Sequence, residues 1–336
     1  MPVMVEMGTH NLPFRPKVMS VPRDIQPLST SLLSATQKTF AQSVSCTGMG
    51  THGGAHVTMT LHPAAPNSGI VFERTDVANG TVAAHWSNVQ VTPLCTQIIN
   101  AAGVEVRTIE HIMSALYANG IDNARIELNG AEVPLMDGGS AYFMDLIDEA
   151  GAVSVDAARR FIKITKAIEV REGEAFARFE PGDTSYFDIT VAFPQHHVGE
   201  QRFAFDFEEQ DFAEEVSAAR TFGFEVDIEG LRKKGLTLGC NLENAILIGR
   251  DGAPINRGGY RFPNELARHK LLDAIGDLSL AGAVILGRFT GNRSGHTLNN
   301  KLLRALFADK TAYVEIEASG KKAPVAGYEA TVHAGA

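Results

Sequence analysis

The chain has 336 residues, 44% of them hydrophobic, enough for one large domain or two ordinary ones around a packed core. Its formal net charge of −9 comes from scattered acids, and no Lys/Arg cluster is long enough to track a phosphate backbone, which argues against a nucleic-acid partner. No apolar run approaches the roughly 18 residues that cross a bilayer, and Cys46, Cys95 and Cys240 are too scattered for a disulfide framework or a thiolate zinc site, so a soluble protein of the reducing cytoplasm is expected.

Residues 1–40 are rich in Pro and Ser, show little periodicity and lack the apolar core of a secretory signal; they read as a poorly ordered extension, with a transit peptide as the alternative. From Ala41 the texture changes to short alternating segments such as HVTMTLHP and GIVFERTD, which predict strands with one buried face. RTIEHIMSALYANG then keeps Ile109, Ile112, Met113 and Leu116 at helical spacing, with Thr108 as cap and Gly120 as stop. The strand DNARIEL follows, then the helix YFMDLIDEAG, and DAARR marks a boundary near residue 157.

The second half repeats this plan. Strands from FIKITKAIEV to FDITVAF lead to the helix holding RHKLLDAIGDL, a glycine at 282, the strand AVILGRF and a last helix, NNKLLRALFAD. EHIMSALYANG and RHKLLDAIGDLSLAG each place a histidine near a helix start, close with glycine and continue into an apolar strand. The expected architecture is α+β: two similar domains, 41–157 and 158–320, facing each other across a cleft, with a tail at 321–336.

GMGTHG, residues 48–53, matches a dinucleotide-binding pattern, but that pattern works only between a strand and a helix, where the pyrophosphate meets the helix N-terminus. Here the alternating segment AHVTMTL follows, so a tight glycine turn around His52 is the better reading.

His269, Asp273 and Asp277 fall at i, i+4 and i+8, making one polar stripe opposite Leu271, Leu272, Ile275 and Leu278. A solvated helix face would account for it. Alternatively, His269 and Asp273 converge on one ion, His111 supplies a third ligand and a fourth position stays open, a set that suits catalytic zinc. Glu110 then stands beside the metal as a base without being a ligand. His296, in the loop before the last helix, makes a charged acid only if a carboxylate such as Asp277 faces it, since a helix N-terminus disfavours an imidazolium.

TIEHIMSAL, EVPLMDGGSAYF, AARTFGF, RHKLLDAIGD and SGHTLNNKLLRAL, in that order, closely resemble the zinc-dependent UDP-3-O-acyl-N-acetylglucosamine deacetylases of lipid A biosynthesis, over about residues 43–306. The resemblance implies two β-α-α-β domains with helices sandwiched between sheets and the active site at their interface. It further implies Zn²⁺ on His111, His269 and Asp273, Glu110 as general base, His296 as acid supported by Asp277, and Thr221 as a hydroxyl facing the oxyanion. Among substrate contacts it implies Phe222 as an aromatic neighbour, Lys270 near the phosphates and Phe193 as the candidate for uridine stacking. An insert at about 223–250, holding DIEGLRKKGLTLGCNLENAILIG, takes the place of an acyl passage and supplies Ile228 and Ala245; Leu94, Cys95 and His52 complete the candidate contacts. The expected partner is the acylated nucleotide sugar, with no nucleic acid, no membrane span and a monomeric chain. A catalytically silent protein that grips a nucleotide lipid, and a zinc deacetylase of another N-acetylated sugar, remain alternatives.

Overall fold

The computed structural model describes residues 34–318 except Pro93. The fold is α+β, with two larger sheets and six α-helices among the described residues: α1 (Glu110–Ala118), α2 (Ala141–Ala150), α3 (Phe212–Glu215), α4 (Glu225–Lys233), α5 (Glu265–Ser279) and α6 (His296–Ala308). None is long and apolar enough to cross a membrane.

In the five-stranded sheet the central strand is Ala124–Leu128, which follows α1 in the chain; it runs parallel to Ile70–Arg74 and antiparallel to His56–His62. In the seven-stranded sheet Val284–Asn292, which follows α5, runs parallel to Ser185–Phe193 and antiparallel to Ala175–Glu180. The same local pattern thus occurs twice, as the paired helix-strand segments of the sequence imply.

The helices lie between the sheets. Helix α2 packs on Val44–Met49 of the smaller sheet and on α1, α1 packs on α5, and α5 rests on Ser185–Phe193 and Val198–Asp206 of the larger one. This position explains why all nine residues of α1 are buried and why the polar stripe of α5 is buried too, leaving no solvated face. At the crossing, a side chain on Gly276 would collide with the backbone of Glu110, so only glycine permits the two helices to approach this closely.

Three local expectations need correction. Thr108 does not cap α1: its φ is +57° and its hydroxyl donates to Glu132 Oε1, while Ile109 takes the N-cap position without a side-chain bond. The irregular stretch expected up to residue 40 ends earlier, because Thr36–Phe40 is a strand paired antiparallel with Ala152–Ala158; residues 1–33 of that stretch and the tail from 319 lie outside the described residues. The last helix begins at His296 itself, with Gly295 as N-cap, so this histidine occupies the first turn instead of the preceding loop. Gly120 does stop α1, at φ +65°.

GMGTHG ends the strand Val44–Met49 and makes the turn of its hairpin with His56–His62. Glu132 holds it: its carboxylate accepts the N–H groups of His52 and Gly53 at 2.8 and 3.0 Å. The insert forms a small strand-helix-strand unit, Phe222–Phe224 and Ile246–Ile248 pairing in parallel around α4.

Candidate active site

The crossing of α1 and α5 brings His111 of one beside His269 and Asp273 of the other. His111 Nε2 and His269 Nε2 are each 3.5 Å from Asp273 Oδ1, and the two imidazole rings stand nearly perpendicular, at 84°. The backbone carbonyl of Ala219 lies 3.1 Å from His269 Nδ1; it accepts that nitrogen's proton and leaves the Nε2 lone pair facing inward. Burial holds His269 down to about 3, hence neutral, as a ligand must be. Asp273 is pushed well below the usual carboxylate range: burial opposes its charge, but His269, Lys270, His111 and His296 around it together outweigh burial.

Asp273 Oδ1 is buried and has no hydrogen-bond partner among the described residues. A buried carboxylate oxygen left bare between two imidazole nitrogens is costly without a cation. One atom each of His111, His269 and Asp273 lie within 4.8 Å of one another, so this donor set fits a divalent metal with nitrogen and oxygen ligands.

Two further groups close on the same point. Glu110, 3% exposed, accepts the Thr96 N–H on Oε2 at 3.0 Å and turns Oε1 toward His296 Nε2, 3.9 Å away; burial raises its pKa. His296 Nδ1 donates to Asp277, 2.9 Å from Oδ2, and its Nε2 lies 3.9 Å from Asp273 Oδ2. Burial opposes an imidazolium, but Asp277, Glu110 and Asp273 around the ring lift His296 to about 9. A carboxylate that resists ionisation thus faces a histidine that resists deprotonation, the opposed pair that general acid–base chemistry needs.

These groups sit at the head of a cavity of about 670 Å³. Of the residues singled out from sequence, His111, His269, Asp273, Glu110, His296, Thr221, Phe222, Phe193, Lys270, Leu94, Ile228, Ala245 and His52 all line it. Asp277 lies behind His296. Cys95 is not on the wall: it is 4% exposed, with its Sγ 3.6 Å from Thr92 Oγ1. Lys270 places its ammonium 2.8 Å from Asp273 Oδ2 and over the Phe222 ring. Phe193 packs against Phe222 and Phe224 at 5.5 and 5.2 Å between ring centroids. Both ring nitrogens of His52 are buried without a hydrogen-bond partner among the described residues, and burial lowers its pKa.

Several positioning residues carried no sequence signal that pointed to them. Arg220 pairs with the buried Glu265 at 2.9 Å, fixing AARTFGF against the start of α5 and so placing both Thr221 and the Ala219 carbonyl. The hydroxyls of Ser114 and Ser140 donate to the His111 carbonyl at 2.8 and 2.9 Å. Asn299 Nδ2 donates to Asp277 Oδ2 at 2.8 Å; its place three residues after His296, one helical turn on, was its only hint.

Residues 37–308 match the family model described as UDP-3-O-acyl N-acetylglycosamine deacetylase. Curated relatives named UDP-3-O-acyl-N-acetylglucosamine deacetylase from Brucella ovis, Brucella canis and Brucella suis are each 44% identical to this chain over 287 residues, which is 85% of it and 100% of the relative.

Proposed function

Because the chain belongs to the UDP-3-O-acyl N-acetylglycosamine deacetylase family, we propose that it removes acetate from UDP-3-O-acyl-N-acetylglucosamine with zinc at His111, His269 and Asp273, an early step of lipid A biosynthesis. The observation that carries the reading is the bare oxygen of Asp273 between two imidazoles, beside Glu110 and His296. Lewis acidity toward a carbonyl oxygen and toward water is what zinc supplies when bound.

The chain's own residues do the rest. Glu110 Oε1 takes a proton from the attacking water, and burial favours the protonated carboxyl that results. The water oxygen forms a bond to the acetamide carbon. The Thr221 hydroxyl, at the cavity wall, donates to the oxyanion as it develops. His296, kept charged by Asp277, delivers its Nε2 proton to the nitrogen as the C–N bond breaks, giving acetate and a free amine. The acyl chain lies along the insert, against Ile228 and Ala245, and the nucleotide lies toward Phe193 with Lys270 serving its phosphates. Residues 41–157 and 158–320 act as two domains that meet at this site, and the chain works as a cytoplasmic monomer.

The test is metal content together with acetate release from acylated and unacylated UDP-N-acetylglucosamine. Chelation abolishes release and Zn²⁺ restores it, and the acylated substrate is strongly preferred. A chain that binds the nucleotide lipid without releasing acetate is a silent binding protein; equal rates on both substrates mean a deacetylase of another sugar.

A further inference from the structure

Thr96 lies between the two proton-transfer groups and uses all its polar atoms to hold that position. It is 3% exposed. Its N–H donates to Glu110 Oε2 at 3.0 Å, its hydroxyl donates to Asp277 Oδ1, and its carbonyl accepts the N–H of Ile109, the residue before α1, at 3.4 Å. The segment is itself fastened by the Thr92 hydroxyl, which donates to the Cys95 carbonyl at 2.6 Å. Glu110 belongs to α1, whereas Asp277 and His296 belong to α5 and α6, so base and acid reach the site from opposite ends of the chain. Among the described residues Thr96 bonds to a member of each set, through its backbone N–H to Glu110 and through its hydroxyl to Asp277.

We propose that Thr96 is a positioning residue that sets the register of Glu110 against the Asp277–His296 pair, an inference that rests on the deacetylase reading above. Asp277 has two oxygens to orient. Asn299 holds Oδ2, and the Thr96 hydroxyl holds Oδ1. With only Asn299 left to hold it besides His296 itself, the carboxylate is free to turn about the Asn299 bond, and the imidazole bonded to it turns with it. The aim of His296 Nε2 is lost, while His111, His269 and Asp273, none of which touches the Thr96 hydroxyl, keep their places. Threonine suits the task because its branched Cβ restricts χ1, so the hydroxyl stays pointed at Asp277.

The experiment uses the full-length, zinc-loaded protein. Wild type and Glu110→Gln are first assayed for acetate release; a wild type that releases none removes the deacetylase reading and this inference with it, whatever Thr96 does. Given an active wild type, Thr96→Val keeps size and N–H but removes the hydroxyl. The expected result is a roughly 10- to 100-fold fall in kcat, the usual effect of removing an outer hydrogen-bond partner, with KM and zinc content unchanged. Thr96→Ser restores kcat. Wild-type kcat in Thr96→Val overturns the proposal, as does a loss that Thr96→Ser shares or that tracks lost zinc. If Thr96→Val fails to fold, Thr96→Ser and Thr96→Ala decide: near-wild-type kcat in Ser with a depressed kcat in Ala supports the register role, and equal rates in the two overturn it.

Discussion

Gly276→Ala is a sharp test of how the site is assembled. The added Cβ would lie 2.0 Å from Glu110 O, 2.8 Å from its carbonyl carbon and 2.9 Å from its Cα. All three are backbone atoms, so no side chain can rotate away. Ordinary contact begins at 3.4 Å, and from 2.0 Å that requires α1 and α5 to part by about 1.4 Å. Overpacking of this kind costs about 1–3 kcal/mol, and alanine recovers about 1 kcal/mol over glycine within a helix. The net loss of up to about 2 kcal/mol lowers Tm by only a few degrees in a protein of this size. Activity suffers more, because the parted helices carry Glu110 and His111 away from His269 and Asp273, and a misplacement of about 1 Å costs on the order of 100-fold in rate. Tm, zinc stoichiometry and kcat for acetate release are measured on the same preparation. A variant with wild-type kcat and zinc content would show that the close crossing does not position the site.

Other outcomes follow from single residues. Asp273→Ala removes a proposed ligand and should cut zinc occupancy as well as rate, read by metal analysis. Ala245→Trp should slow long acyl substrates more than short ones if the insert is an acyl passage; an equal effect on all chain lengths refutes that role. His296, charged below about 9, should give kcat/KM a basic limb there; Asp277→Asn removes the negative charge that favours the imidazolium, so the limb moves to lower pH. An unmoved limb assigns it to another group. Glu110→Gln and His296→Gln should each keep zinc and lose most turnover, and a His296→Gln protein at full rate would mean that Glu110 moves both protons.

The helices and central strands were legible because helical spacing and alternation record which faces are buried. The five-residue segment AILIG illustrates the limit: periodicity marks it as apolar, but only its parallel pairing with Phe222–Phe224 makes it one edge of the insert. The stripe His269, Asp273 and Asp277 was readable as a stripe, whereas its burial depends on α1 lying across α5, a long-range contact with no local signature. Thr108 looked like a cap because a threonine before an apolar run usually is one; here Glu132 captures its hydroxyl. Thr96 was invisible for the same reason in reverse, as its partners lie 14 and 181 residues away.

His111 and His269 stand at chain positions 111 and 269, so the cluster joins points 158 residues apart. A cation seated on it ties these distant points together in the folded chain alone, so it stabilises the fold by mass action, about 2.7 kcal/mol at a free concentration about 100 times its dissociation constant. An ion on these residues would bridge two helices whose backbones come close at Gly276, so its departure would be coupled to their separation. Metal exchange in the folded protein should therefore be slow, gated by the opening of that crossing and not by the strength of any one bond, and the stripped chain should unfold at a lower temperature than the loaded one.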